Sequence, residues 1–218
     1  MSLTSIARRA VKRGQIRALA GFRRLRDARE GVAAVEFALI VPIMVFMFIG
    51  AVEMSQAVTV DRRVSQVAST TGDLVARIDS DITQDEVLDI AKVGSYLMNP
   101  FTGSAISINL SVVTSTAASA TNTTERWRCT FTGSLPSSIN CTYPLSAYTI
   151  PTGLIGTSDG VVIADVTYSY KPLIYDFFLK QAQPSGTGVY AIKEKLHVKP
   201  RAVCPKLKRT DGTICSCF

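Results

Sequence analysis

The spacing of apolar positions changes along the chain, and the first pattern is an unbroken run. From Phe37 to Val52 sixteen consecutive residues carry no charge. Extended back to Val32, the run has 21 residues and only Glu36 interrupts it; as an α-helix it is about 31 Å long, enough to cross the apolar core of a bilayer. The run predicts one transmembrane helix. Pro42 removes one backbone donor inside it, and we expect a kink there.

A helical stripe follows this run. Its residues recur at intervals of three and four, which is typical of a helix with one buried face, and they are Val60, Val64, Val67, Thr71, Leu74 and Ile78. We expect one helix from about Val32 to about Ile78. Its second half is predicted to pack on its own domain. A coiled coil is the alternative, although the stripe is shorter than the three or four heptads that such pairing needs.

A second, shorter helix is predicted after the stripe. Thr83 and Glu86 have the spacing of a capping box, in which the threonine caps a free amide and the glutamate reaches back. The expected inner face is Val87, Ile90, Ala91, Gly94 and Leu97. Asn99-Pro100 ends this helix.

Beyond Pro100 the apolar period changes to two, which predicts strands. The predicted strands are Ile106–Val112, Arg126–Thr132, Val162–Tyr170 and Tyr190–Val198. We interpret 114–124 as a loop and assign no regular structure to 136–160, which turn residues dominate. The predicted fold class is therefore α+β, a long N-terminal helix and a short helix followed by a small antiparallel β domain with disulfides.

The predicted organisation has four parts. Residues 1–31 form a basic cytoplasmic leader, 32–57 a transmembrane helix, 58–79 its soluble extension, and 80–218 a periplasmic α+β domain. The net charge of +7 agrees with this division. Residues 1–30 hold nine basic and two acidic residues, whereas the remainder holds fifteen of each. A basic segment before an apolar run orients a membrane helix with its N-terminus in the cytoplasm, and a neutral domain argues against a nucleic-acid partner.

All five cysteines lie in the last 90 residues, a distribution that favours an oxidising compartment for that part of the chain. Disulfides are expected between Cys129 and Cys141, and between Cys204 and either Cys215 or Cys217. The odd count leaves one thiol, which either links two subunits or stays reduced. Cys204 with the Cys215-Ser216-Cys217 pair is the alternative metal site; its spacing does not suit zinc and no fourth ligand is evident, so we expect no metal.

Enzymatic signatures are missing from the sequence. His197 is the only histidine, and its position beside Lys195 and Lys199 on the polar side of a predicted strand indicates a solvated surface residue. There is no phosphate-binding loop, dinucleotide fingerprint or zinc-protease motif. We therefore expect no catalytic residues and no cofactor.

The junction between the basic segment and the apolar run carries the most specific signal. It reads Gly31-Val32-Ala33-Ala34-Val35-Glu36-Phe37-Ala38-Leu39-Ile40-Val41-Pro42, with Gly50 and Glu53 following. This phrase resembles the class III signal peptides of type IV pilin-like proteins, and more closely the TadE-like minor pseudopilins of the tight adherence (Flp) pilus system. The later Val198–Cys204 segment is similar to a tail of longer members.

The resemblance implies that a prepilin peptidase cuts between Gly31 and Val32, which makes Glu36 the fifth residue of the mature chain. Glu36 would then pair with the new amine of Val32, its own or a neighbour's, during assembly. The implied function is structural, as a minor component of the pilus machine in the bacterial inner membrane. The implied partners are the prepilin peptidase, other pseudopilins and the inner-membrane assembly proteins.

Other interpretations of the same residues stay open. One alternative is an uncleaved single-span anchor that carries a periplasmic binding domain; members of the related TadG group look similar and can retain their leaders. The others are an ordinary secretory protein cut after Ala57 and a protein with an Arg-rich mitochondrial presequence. An enzyme on the β domain is a further hypothesis. It requires His197 in a pocket with a carboxylate and a hydroxyl.

Overall fold

A computed structural model of the chain describes residues 30–101, 106–116, 121–133, 138–172 and 189–217. The predicted basic leader therefore lies outside the described residues, except for its last two. The chain divides into two compact units, Met1–Ala51 and Val52–Phe218.

Two helices are described, α1 over Glu30–Ala76 and α2 over Gln84–Leu97. α1 is continuous through Pro42 and ends two residues before the predicted Ile78, which is partly buried after the last turn. α2 begins with the predicted capping box. The Glu86 amide donates to Thr83 Oγ1 at 3.3 Å, and the Thr83 amide donates to Glu86 Oε2 at 2.7 Å. Local polar spacing thus positions the start of α2.

The strands are β1 (Asp81–Thr83), β2 (Ile106–Ser115), β3 (Thr123–Thr132), β4 (Asn140–Thr142), β5 (Ser146–Ala147), β6 (Gly160–Tyr170), β7 (Tyr190–Val198) and β8 (Lys206–Lys208). The main sheet has the order β4-β3-β2-β6-β7 with antiparallel pairing, and β5 also pairs with β3. β1 and β8 form a separate parallel pair. The predicted α+β class is confirmed. The absence of regular structure predicted for 136–160 is wrong at β4 and β5, whose few residues are too short to show an alternation.

One face of the main sheet is covered by the second half of α1 and by α2. Val60, Val64, Val67 and Thr71 are fully buried, so the predicted stripe packs on its own domain. A Cβ at Gly72 would lie 3.3 Å from Ala164 Cβ in β6. α1 therefore packs on β6 and β7 at a backbone distance that a glycine allows.

The two helices also pack on each other. A Cβ at Gly94 would lie 2.8 Å from Ile108 Cδ1 and 3.0 Å from Thr71 Cγ2, so α2 fits closely between α1 and β2. The Arg63 guanidinium donates to the Leu97 carbonyl at 2.8 Å. This bond satisfies one of the free carbonyls at the C-terminus of α2.

A β-bulge in β3 reverses the alternation of that strand where it pairs with β2. Val112 pairs with Trp127, but Val113 pairs with Glu125, which leaves Arg126 as the extra residue. Because paired residues share a face, the bulge moves Glu125 to the face opposite Trp127. Beyond this point β2 is buried on both faces from Ser111 to Ser115.

The C-terminal tail closes one end of the domain. The Arg201 amide donates to the last carbonyl of α1, that of Ala76, at 2.9 Å. Trp127, which is fully buried, donates through its indole to the Pro205 carbonyl at 2.9 Å. Thr114 donates to the Cys217 carbonyl at 2.9 Å. At the C-terminal end of α1, the tail therefore bonds to that helix and to strands β2 and β3.

Candidate functional site

The first half of α1 exposes apolar side chains in every direction. Phe37, Leu39, Met47 and Phe48 are between 67% and 72% exposed. Intervening positions such as Ile43 and Met44 are above 60% as well. A helix that is apolar all round is stable only where its surroundings are apolar too, in lipid or among other apolar helices.

Among the described residues, one helix is long and apolar enough to cross a membrane, and none of its most apolar window is buried within the protein. This helix lies near the N-terminus. Together with the exposed side chains, this observation indicates that α1 anchors the chain in a membrane.

The residues predicted for cleavage and assembly lie in the first two turns of this helix. Gly31 and Val32 are both exposed, and no atom lies within 4 Å of the position that a Cβ would take at Gly31. Glu36 is exposed and follows Val32 by four residues, so the two share one face of the helix. Glu36 forms no hydrogen bond or ion pair with any other residue that the structure describes. The carboxylate is thus accessible to a partner.

Within the unit Val52–Phe218, the exposed apolar surface of the helix ends at Val60. Met54 is 67% exposed and Val58 43%, whereas Val60 is fully buried. Ala57 packs against the core from the same helix. A boundary between apolar and aqueous surroundings therefore lies at residues 52–59.

The end of the main sheet at which β6 ends and β7 begins lies near this boundary. Tyr170 pairs with Tyr190, and Tyr170 is 9% exposed whereas Tyr190 is 61% exposed. Burial raises the pKa of Tyr170, and the carboxylate of Glu53 raises it further. Glu53 is therefore close enough to Tyr170 for its charge to act there.

The cysteines form two disulfides, Cys129–Cys141 and Cys204–Cys217. The first joins the paired positions of β3 and β4. The second selects Cys217 from the two partners left open for Cys204. Cys215 is a free thiol in an intermediate position; burial raises its pKa and Arg209 offsets part of that effect. It is therefore protonated at neutral pH and weakly reactive.

His197 is partly buried in β7, where it pairs with Ile163. Burial lowers its pKa, and the neighbouring charge of Lys195 lowers it further. Among the described residues there is no group of three or more His, Cys, Asp and Glu side chains that could hold a metal ion.

A cleft of about 290 Å³ lies between the start of β3 and residues 147–155, which belong to the segment for which no regular structure was predicted. Hydroxyls, an asparagine amide and apolar side chains line it, and no charged residue does. Its lining residues are Thr121, Asn122, Thr123, Ala147, Tyr148, Thr149, Ile150, Pro151, Thr152, Gly153 and Ile155. Tyr148 is held by hydrogen bonds with Thr123 and with Lys195. Such a surface suits a neutral polar ligand.

One ion pair, between a buried carboxylate and an exposed guanidinium, was not anticipated from the sequence. Glu125, 2% exposed, accepts hydrogen bonds from Arg128 at 2.9 and 2.8 Å. Positions i and i+3 of a regular strand point to opposite faces, so only the bulge at Arg126 brings these side chains together. No local sequence signal distinguishes this bulge.

Residues 31–73 match the family model described as TadE-like protein. The match begins at Gly31 and ends within α1, before the sheet. It confirms the resemblance predicted from the junction residues, and it indicates a component associated with the tight adherence (Tad) pilus system. No curated protein and no solved structure matches the chain.

Proposed function

We propose that this chain, whose residues 31–73 are TadE-like, is a pseudopilin-like minor component of the tight adherence pilus machine. A prepilin peptidase processes it between Gly31 and Val32. It then initiates, primes or supports the fibre and has no active site of its own. The observation that carries this proposal is that the family match begins at the predicted cleavage residue and coincides with an exposed apolar helix.

The inner membrane and a periplasmic domain are part of the proposal. The nine basic residues before Gly31 favour a cytoplasmic N-terminus, since positive charge is retained on that side. Two disulfides in the unit Val52–Phe218 suit the oxidising periplasm. The partners are then the prepilin peptidase in the membrane, and other pseudopilins and assembly proteins beside it.

Glu36 has a defined role in this proposal. Cleavage creates an amine on Val32, four residues earlier on the same helix face. A carboxylate and an ammonium group attract each other far more strongly in an apolar medium than in water. Pairing, within one chain or between neighbours, offsets the free energy of keeping Glu36 among apolar helices. Assembly therefore depends on cleavage, which supplies the cation.

N-terminal sequencing of the protein from a native membrane fraction tests the proposal directly. Val32 as the first residue supports a processed pseudopilin. Met1 or Ser2 supports an uncleaved anchor, and Val58 supports a secreted protein cut after Ala57. Either of the last two results overturns the proposed function.

A pair of glycine substitutions tests the cleavage position. Gly31→Leu is expected to leave the leader attached, since the peptidase requires glycine before the cut. Gly50→Leu is the matched control, because Gly50 lies in the same helix and also has no atom within 4 Å of its Cβ position. An immunoblot should show the longer form for Gly31→Leu only. A mature-sized band in that variant contradicts the proposed site.

A second candidate function is a membrane-anchored periplasmic binding domain, and the cleft beside β3 favours it. The uncharged lining of hydroxyl groups and one tyrosine suits a neutral glycan. Titration of the full chain in detergent with soluble cell-wall glycan fragments, followed by tyrosine fluorescence, measures this binding. Thr149→Val within the cleft should weaken it, and Thr210→Val on the C-terminal tail should not.

A further inference from the structure

We infer that the end of the main sheet formed by Lys171, Val189 and Tyr190 lies in the headgroup layer of the phospholipid bilayer and is a second, peripheral membrane contact. This inference rests on the membrane anchoring in the proposed function, but it requires neither cleavage at Gly31 nor entry into a fibre. The contacts that support it all lie within the unit Val52–Phe218.

The direction of α1 along the sheet is the first step. Its C-terminal carbonyl, that of Ala76, accepts a hydrogen bond from Arg201. The following tail passes over the first residue of β6, since the Val203 carbonyl lies against the Cα of Gly160. The C-terminus of α1 is thus at the beginning of β6. Because Gly72 packs on Ala164 farther along that strand, α1 and β6 run in opposite directions.

It follows that the N-terminal part of α1 within this unit lies at the end of β6. The charge of Glu53 acts on Tyr170, the last residue of β6, in agreement with this direction. The apolar run that fills the bilayer ends at Val52, one residue earlier. The strand end is therefore at the depth where the helix leaves the apolar core.

The side chains at this end suit an interface between lipid and water. Tyr190 is 61% exposed and Val189 is 42% exposed. Lys171 follows Tyr170 directly and is exposed. Tyrosine is enriched in membrane interfaces because its ring is apolar and its hydroxyl is hydrated, and lysine contacts lipid phosphates there.

The opposite end of the domain has a different surface. The turn between β8 and the last bridge carries Arg209, Thr210 and Asp211, and Lys208 pairs with Ile214 beside it. This turn belongs to the tail that bonds to the C-terminus of α1. It therefore faces away from the boundary at residues 52–59, and it provides a control within the same chain.

Site-specific fluorescence of the full chain tests the inference. In a Cys215→Ser background, which removes the one free thiol among the described cysteines, the environment-sensitive fluorophore NBD is attached to Val189→Cys, Thr210→Cys or Phe46→Cys. The protein is reconstituted in vesicles of phosphatidylethanolamine and phosphatidylglycerol that contain a headgroup spin-labelled lipid. The label at 189 should emit at shorter wavelength and be quenched by the lipid spin label. The label at 210 should be quenched by aqueous iodide instead.

The label at 46 separates failure of the inference from failure of the anchor. If the label at residue 46 is shielded from iodide but the label at residue 189 is quenched by iodide like the label at residue 210, the second membrane contact is overturned and the transmembrane anchor is supported. If the label at residue 46 is also accessible to iodide, the chain is not anchored in the membrane, and both the proposed function and the second membrane contact are overturned. A Tyr190→Ser substitution beside the label at 189 should increase its iodide quenching. No change in that variant overturns the assignment of Tyr190 as a contact.

Discussion

The two halves of α1 are both rich in apolar residues, but they place them differently. Before Val60 the apolar side chains point in all directions and are exposed, whereas after it they form a stripe of three- and four-residue spacing and are buried. The second half leaves polar residues such as Asp61 and Gln66 on the outer side. The difference shows that angular distribution, rather than apolar content, identifies which half packs on protein and which requires lipid.

The largest expected effects come from placing a charge in each half. Val64→Asp puts an uncompensated carboxylate in the core, which should cost about 3–5 kcal/mol of unfolding free energy and abolish the folded domain without releasing the chain from the membrane. Ile43→Asp should oppose membrane insertion by about 2.5–3.5 kcal/mol and leave the domain folded. Limited proteolysis reports domain folding, and alkaline extraction reports membrane integration.

Gln66→Asp and Ile43→Leu are the matched controls for these two variants. Gln66 is exposed in the same half of α1 as Val64, so its carboxylate stays hydrated and both measurements should match the unsubstituted chain. If Ile43→Asp unfolds the domain, or if Val64→Asp is as protease-resistant as Gln66→Asp, the distinction between the halves is wrong.

A substitution of Glu36 separates assembly from stability. Glu36→Leu removes the carboxylate that the proposal pairs with the Val32 amine, and we expect intact membrane integration but loss of piliation, observed by electron microscopy. Because Glu36 has no side-chain partner among the described residues, the unfolding transition of the domain should not change.

Glu53→Gln is the comparison for Glu36→Leu, since Glu53 lies at the other end of the apolar run. It should lower the pKa of Tyr170, which the Glu53 charge raises, and leave the Val32 pairing in place. Normal piliation in Glu36→Leu refutes the assembly role of that residue.

Three glycines of the described helices sharpen the comparison with a smaller change. Gly94→Ala adds a methyl group that would lie 2.8 Å from Ile108 Cδ1, with Thr71 and Val67 also within 3.1 Å. Overpacking of about 1–3 kcal/mol should exceed the gain in helix propensity of about 1 kcal/mol. Urea unfolding in detergent should therefore show a lower unfolding free energy for Gly94→Ala than for the unsubstituted chain.

Gly72→Ala should be less destabilising, since its closest contacts are 3.2 and 3.3 Å. Gly50→Ala, in the first half of α1, meets no atom within 4 Å and should leave the transition unchanged. The expected loss of unfolding free energy thus decreases in the order Gly94→Ala, Gly72→Ala, Gly50→Ala. A loss at Gly50 equal to that at Gly94 is inconsistent with an unpacked first half.

The sequence predicted those features that depend on residues close to one another. The helical stripe, the capping box at Thr83 and the long strands follow from spacing alone, and the junction at Gly31 is itself a local motif. Other features depend on distant residues. The bulge at Arg126 becomes visible only when β2 and β3 are paired, and the choice of Cys217 over Cys215 depends on where the tail crosses Trp127 and Thr114.

The candidate surfaces divide in the same way. Glu36 is apparent in the sequence because it interrupts an apolar run. The cleft beside β3 is not, because its hydroxyl residues come from two segments without periodicity, joined by the pairing of Thr124 with Ala147. The sheet end at Tyr190 required the direction of α1 relative to β6, which no periodicity in either element encodes.

The smallest expected effect on the unfolding free energy comes from Asp159, an acidic residue of the packed domain. It contrasts with Glu36, which has no side-chain partner among the described residues. Burial raises the pKa of Asp159, but Lys199 at 2.9 Å and the amides of Gly160 and Gly156 outweigh that effect and hold the pKa below its ordinary value. A lowered pKa means that the unfolded chain binds the proton more tightly. The stabilising contribution is therefore complete above the unfolded pKa and is lost as the pH falls through the folded one.

Asp159→Asn should therefore lower the unfolding free energy near pH 7 by about 0.5–1 kcal/mol, a small value because Lys199 is largely exposed. The difference from the unsubstituted chain should shrink toward zero as the pH falls below the folded pKa of Asp159. Lys199→Gln removes the ion pair but keeps both amide bonds, so it should give a smaller loss of the same sign. Urea unfolding across this pH range distinguishes the two variants, and a loss for Asp159→Asn that is independent of pH is evidence against an ionised, partnered Asp159.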